Sequence, residues 1–411
     1  MSLYAPDHAV TSAAFDLDSA RADTPGCRSV VHLNSAGAAL MCASVVDAMV
    51  GHLRTEARVG GYEAARAATD QLTLAHRAAA TLLGCSAGEV AVLDNASRAW
   101  ALVVRSIPLR RGDRVLVSGS EYMSNCVVLA SACKKAGAEL QVLPVDAGGR
   151  VCVHGLEAIV DERVRLIALP HIPIGGGHVN PIAEIGRIAR AHGSLYVIDA
   201  CQSLGHVPVD VDAIGCDFLT AAGRKYLRGP RGTAILYART GSMSKLSRDA
   251  VGVDVYGTRW LPDGRWDVRD DARRFESWEM NCAARIGLGL AIDYANLRGV
   301  HCTWQRVRSL GEHLRSSLSE LPRVELEHTD QAGCGIVSFA VRSRRPDDLR
   351  DALGVLGINI SVVEPDLTPW HATARSLGLV LRASVHYYNT IGEIDRFVEA
   401  VGSLASDRAA P

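Results

Sequence analysis

The chain has 411 residues, 48% of them hydrophobic, enough to bury a large core and to form two or more domains. Its 44 basic and 45 acidic residues nearly cancel, so its charge points neither to nucleic acid nor to an anionic membrane surface as a partner. The first twenty residues carry acids and lack an apolar segment, and no apolar run is long enough to cross a bilayer; the expectation is a cytoplasmic protein with no signal peptide and no membrane partner. Eleven scattered cysteines form no Cys-x-x-Cys and read as reduced thiols, and the histidines lack zinc-ligand spacing, so no metal site is expected.

Residues 1–40 read as an N-terminal arm. Residues 41–285 alternate short apolar strands with amphipathic helices, the pattern of a large α/β domain. Apolar runs at 115–117, 164–169, 195–198 and 218–220 have the character of buried parallel strands. Between the second and third, Asn180 is expected to cap a helix with Pro181 at its first position. Ile182, Ile185 and Ile188 share one face, and Gly193 ends it. From 286 the texture changes to a smaller domain running to 411. It opens with one long helical stretch, 286–318, and has strands at 335–341 and 357–363. Gly84-Cys85-Ser86-Ala87-Gly88 matches a nucleophile elbow, but that motif needs a strand before it and a helix after. Here a helix over 72–83 precedes and a strand over 90–93 follows, so the segment reads as a helix C-terminal turn.

Tyr122, His171, Asp199 and Lys225 all fall just after predicted strands, at the edge where open α/β sheets bind ligands. Lys225 lies in the run Gly223-Arg224-Lys225-Tyr226-Leu227-Arg228-Gly229-Pro230-Arg231-Gly232-Thr233. An acid at the end of a buried strand, followed by a lysine on a glycine-flanked turn, suits pyridoxal 5′-phosphate (PLP). The amine forms a Schiff base, and the carboxylate keeps the pyridine nitrogen protonated so that the ring accepts electrons. Gln202, one turn into the following helix, is placed to donate to the cofactor's phenolate oxygen. Taken singly, each residue has a plainer reading, as a helix cap or a solvated side chain.

Asp199-Ala200-Cys201-Gln202, the Lys225 run and Arg382-Ala383-Ser384-Val385-His386-Tyr387-Tyr388-Asn389-Thr390 together resemble the class V aminotransferase family of fold-type I PLP enzymes. That family includes cysteine desulfurases, selenocysteine lyases, isopenicillin N epimerases, the C–S lyases of ergothioneine biosynthesis and lincosamide-tailoring enzymes. The resemblance spans about residues 30 to 400. It implies a fold-type I transferase, with a three-layer α/β large domain on a mainly parallel sheet and a smaller α/β C-terminal domain. It also implies a homodimer with active sites at the subunit interface. By the same resemblance Lys225 is the Schiff-base lysine and proton shuttle, and Asp199 pairs with the pyridinium. Asn95-Ala96-Ser97 is the phosphate-binding turn, and Tyr122 stands where relatives stack a histidine on the ring. Arg382 grips the substrate α-carboxylate, and the segment from Asn34 to Gly37 closes over the substrate. Arg224 replaces the usual histidine before the lysine and brings a permanent cation toward the phosphate. No asparagine lies near Gly175 to bond the phenolate oxygen. Residues 275–279 replace a Gly-Thr ending, which puts Trp278 and Glu279 on the substrate channel.

No cysteine follows Cys334. A desulfurase of this family carries its thiolate on a loop shortly before the carboxylate-binding arginine. On that ground the sequence reads as something other than a persulfide-forming desulfurase. The expectation is a β-eliminating C–S lyase acting on a small-molecule cysteine S-conjugate, in antibiotic or low-molecular-weight-thiol biosynthesis. Decarboxylation-coupled deamination to an aldehyde, transamination and epimerisation are the alternatives. A catalytically silent binding protein is the reading from another class, against which intact Lys225, Asp199 and Arg382 speak.

Overall fold

The computed structural model describes residues 15–247, 254–327, 333–342, 344–370 and 380–406. A seven-stranded sheet is built from Val90–Leu93 (β1), Arg114–Val117 (β2), Glu139–Val142 (β3), Val164–Pro170 (β4), Leu195–Asp199 (β5), Phe218–Ala222 (β6) and Ala234–Ala238 (β7). Their spatial order is β1-β7-β6-β5-β4-β2-β3. The pairs from β3 to β6 are parallel, while β7 runs antiparallel to both β6 and β1. Every residue of β5 and β6 is buried, and apart from Asp199 and Thr220 these strands are apolar rather than alternating, as a sheet covered on both faces requires. Because β1 and β6 point the same way, the carboxyl ends of β1, β2, β4, β5 and β6 all meet at one edge.

Local sequence explains most of the crossovers. Thr69–Leu83 ends at Gly84, whose φ of 70° is the left-handed C-terminal conformation glycine tolerates. A short turn with a Ser86/Glu89 capping box then leads into β1, so the Gly84–Gly88 segment is the expected helix terminus. Helix Ile182–Ala191 buries Ile182, Ile185 and Ile188 as its spacing predicts, and Gly193 (φ 68°) lies just beyond it. Its expected cap differs. Asn180 donates its side-chain amide to the Pro170 carbonyl at 2.8 Å and accepts from the Val151 N–H at 2.9 Å, while Pro181 occupies the N-cap position. Buried backbone groups on both sides took the side chain that the helix end would have used.

The C-terminal unit holds Val324–Leu326 (β8), Ile336–Val341 (β9), Ser361–Val363 (β10) and Val380–Ser384 (β11) in an antiparallel sheet ordered β8-β9-β11-β10. Two predicted elements break here. The stretch 286–318 lies in two helices, Cys282–Arg298 and Val300–Ser319, divided at Gly299 with φ 75°. The predicted strand 357–363 becomes Ile358–Asn359 and β10. Ile358–Asn359 pairs in parallel with Val31–His32 from the N-terminal segment. That segment also packs Ala20, Val31 and Leu33 into one core with Leu310, Phe339 and Phe397, so it is built into the C-terminal unit.

Arg228 fastens three parts of the chain to the Lys225 loop. Its guanidinium donates to the Leu40 carbonyl (2.8 Å), the Tyr387 hydroxyl (2.7 Å) and the Thr24 hydroxyl (2.5 Å). It is the one non-glycine residue at positive φ (61°) among the described residues. A left-handed conformation costs an L-residue roughly 1–2 kcal/mol. Three hydrogen bonds from a buried cation offset that.

Candidate functional site

The cavity at the carboxyl edge of the sheet is assembled from five crossings. After β1, helix Ala96–Ser106 begins at Asn95, whose Oδ1 accepts from the Arg98 N–H at 2.8 Å. The first-turn N–H groups of Ala96 and Ser97, which have no intrahelical partner by geometry, line the cavity and suit a phosphate. After β2 come Ser120 and Tyr122, with Asn125 one turn on. After β4 come Pro170, Ile172 and Ile174. Asp199 ends β5, and Arg224 and Lys225 follow β6. Arg382 enters from the other unit, on β11.

Lys225 is buried, and burial, its largest influence, pulls its amine below the usual lysine range. A neutral amine is the nucleophile that carbonyl chemistry requires. Asp199 accepts from the Asn125 amide (2.8 Å, on Oδ2) and from the Cys201 N–H (2.8 Å, on Oδ1), which holds its carboxylate in place. Gln202 donates to the Ala36 carbonyl at 3.1 Å, and its Oε1 is buried without a hydrogen-bond partner. The Arg382 side chain donates to the Ile174 carbonyl (2.9 Å) and lies 3.4 Å from the Ser361 hydroxyl. Its Nε is buried and unbonded, and no acid pairs with it among the described residues. Burial brings its pKa down to about 10. A buried guanidinium without a carboxylate is costly unless a ligand supplies one.

The expected site residues therefore divide. Asn95, Ala96, Ser97, Tyr122, Asp199, Gln202, Arg224, Lys225 and Arg382 converge on one cavity. Asn34 stands behind its wall. It bridges to Ser384, while Ala36 and Gly37 from its turn do the lining. Trp278 does not line this cavity; its side chain is exposed and its backbone N–H donates to the Asp254 carboxylate at 2.9 Å. His171 is fully buried, its pKa lowered to about 3 by burial, and its N–H donates to the Asp199 carbonyl at 2.9 Å.

Three residues without a role in the sequence reading matter here. Asn125 touches Asp199 directly, and Glu121 touches Asn125. The four-residue spacing of Glu121 and Asn125, straight after a strand, was the available signal. The third is Glu276. Its carboxylate takes the Val92 N–H (2.7 Å), His76 (2.7 Å) and Arg285 (2.5 Å), all buried. This clamp fixes the segment whose Ser277 accepts from Arg98, beside the phosphate turn. Glu276→Ala should cost about 3–5 kcal/mol by leaving Arg285 and His76 buried without their acid. Urea unfolding of the apoprotein measures this; a loss under about 1 kcal/mol, the worth of an exposed pair, would refute the clamp.

The fold and site define a fold-type I PLP enzyme. The Aminotransferase class-V family model matches residues 31–397, and the chain belongs to that family. It is 33% identical to a probable cysteine desulfurase of Methanothermobacter thermautotrophicus over 94% of this chain and 97% of that protein. A cysteine desulfurase of Escherichia coli O157:H7 is 29% identical over 93% of this chain and 97% of its own length. Apo cysteine desulfurase from Thermococcus onnurineus NA1 superposes with a TM-score of 0.86 at 24% identity, covering 94% and 98% of the two chains. The lining agrees with the cofactor: an acid for the ring nitrogen, a buried amine for its carbonyl carbon and a helix N-terminus for the phosphate; Gln202 departs from its expected role, its amide nitrogen donating to the Ala36 carbonyl. The cofactor is PLP.

These relatives overturn two expectations. The reading as a C–S lyase for a secondary-metabolite conjugate, and the exclusion of desulfurase chemistry, both conflict with full-length similarity to named desulfurases. The exclusion rested on one missing thiol in one loop. That absence bears only on where a sulfur acceptor sits, not on whether the cavity works on cysteine sulfur. No helix among the described residues is long and apolar enough to cross a membrane.

Proposed function

We propose that this chain is a PLP-dependent enzyme that removes sulfur from L-cysteine. The observation that carries the reading is the placement of Arg382, a buried cation without an acid partner among the described residues, in the same cavity as Lys225 and Asp199. A free α-amino acid supplies what each end needs: a carboxylate for the guanidinium fork and an amine for the cofactor. The full-length relatives named as desulfurases support cysteine as that amino acid.

Bound PLP supplies an electron sink for charge formed at the substrate α-carbon. Asp199 holds positive charge at the ring nitrogen. Arg382 fixes the carboxylate and so selects which α-carbon bond is aligned for cleavage. Lys225, the residue that would anchor the cofactor, would also move the proton at that carbon. Cys201, the thiol lining the cavity, is pushed well above its usual pKa by burial and then by Asp199, which disfavours a thiolate there. The sulfur acceptor is then a dissolved thiol. L-Cysteine and the thiol become alanine and a persulfide, with the sulfur passing from the cysteine side chain to the acceptor.

A second copy of the chain completes the assembly. Val46, Val50 and Leu53 form a stripe along helix Ala43–Val59, and Tyr62 and Trp278 are also exposed. Apolar side chains left in water at helical spacing favour an interface. Sedimentation as a monomer at micromolar concentration would count against this assembly.

The reaction is tested by incubating the holoenzyme with L-cysteine and a small thiol. Alanine and persulfide should appear in equal amounts. Pyruvate and ammonia in place of alanine would refute desulfuration and leave the cofactor assignment intact.

A further inference from the structure

The Asp199 carboxylate at the end of β5 does not stand alone. Asn125, on helix Met123–Ala136, uses both hydrogens of one amide nitrogen on two acids. One goes to Asp199 Oδ2 at 2.8 Å, the other to Glu121 Oε1 at 2.9 Å. Glu121 Oε1 also accepts the Tyr122 N–H at 2.9 Å, and Glu121 Oε2 is buried with no hydrogen-bond partner. Glu121 is completely buried, Asn125 nearly so, and Asn125 lines the cavity while Glu121 does not. The titratable groups facing Glu121 are Asp199 from β5 and the Cys126 thiol from its own helix.

An acid buried in this way is expensive. Nothing in the sheet or the helix needs it, since the Tyr122 N–H sits at a helix start where water or a hydroxyl would serve. Its useful consequence is geometric. An asparagine amide with one free N–H swings about its terminal torsion, whereas one whose second N–H is held by a fixed acceptor is locked. Locking Asn125 fixes which oxygen of Asp199 is engaged from behind, and so how its carboxylate presents to the ring.

We propose that Glu121 is a positioning residue for the cofactor, acting on Asp199 through Asn125. This rests on PLP at Lys225 and Asp199 and is independent of which sulfur reaction follows. The chain of contacts makes a specific demand: the two residues must behave as one unit.

The test is a double-mutant cycle on the full chain, read as the PLP dissociation constant and the visible absorption of the bound cofactor rather than as turnover. Glu121→Ala and Asn125→Ala should each weaken PLP binding about tenfold, and the double variant no further than either alone, because residues in one network are not additive. Glu121→Gln should restore binding to within about twofold at pH 7, since its amide oxygen accepts the same two N–H groups. Losses that multiply in the double variant would overturn the proposal, as would Glu121→Ala binding PLP like wild type or Glu121→Gln failing as badly as alanine. Should Glu121→Ala not fold, Glu121→Leu, which fills the volume without an acceptor, takes its place in the cycle with the same expected result and the same refutation.

Discussion

Lys225→Ala is expected to lower turnover by about three orders of magnitude or more, because one side chain serves as covalent anchor and as proton carrier. The visible absorption of the lysine-bound cofactor should vanish with the activity, and borohydride should no longer fix the cofactor to the protein. The variant should stay folded. The amine is buried, so its removal deletes a desolvated group rather than a packing element, and the buried Tyr226 and Leu227 that follow it in the turn are untouched. Activity within tenfold of wild type, or borohydride labelling at another position, would refute the assignment of Lys225 and with it the function.

The second large effect falls at Arg382, which reaches the cavity from the C-terminal unit. Arg382→Ala should reduce kcat/KM for cysteine by about 10²-fold or more, chiefly through KM, since two hydrogen bonds between ions each contribute about 1.5–3 kcal/mol. Arg382→Lys should recover little, because an ammonium cannot offer the planar fork. The cofactor should remain bound, its absorption unchanged, since the ring nitrogen and the Lys225 anchor lie elsewhere. A cysteine amide, lacking the carboxylate, should be handled equally poorly by variant and wild type. An unaltered KM for cysteine in Arg382→Ala would refute the carboxylate role.

The thiol missing after Cys334 shows how far a single residue can mislead. The missing thiol after Cys334 is a real property of the chain. Physically it excludes one location for a nucleophile rather than a whole chemistry. Similarity along 94% of the chain carries more about the cavity as a whole than one loop position does. Cys201 illustrates the converse: a thiol inside the cavity whose burial and acidic neighbour disfavour a thiolate, so its presence does not make it the acceptor.

Short-range physics made much of the molecule readable in advance. Predominantly apolar runs identified β4, β5 and β6, since strands covered on both faces have little polar side to show, Arg165 of β4 and Thr220 of β6 being the exceptions. The acid at the end of β5 and the lysine after β6 were legible because strand ends are where an α/β sheet presents chemistry. What needed the tertiary structure were partners distant in sequence. Asn180 left its helix to satisfy Val151 and Pro170, and Gly299 divided what read as one helix. The N-terminal segment paired with Ile358–Asn359, at the far end of the chain. Glu276 met His76 and Arg285, and Glu121 reached Asp199 through Asn125. Hydrophobic periodicity is a local signal, written within one or two turns of chain. Buried polar groups must find whichever partner the fold brings close, and no spacing along the chain records that choice.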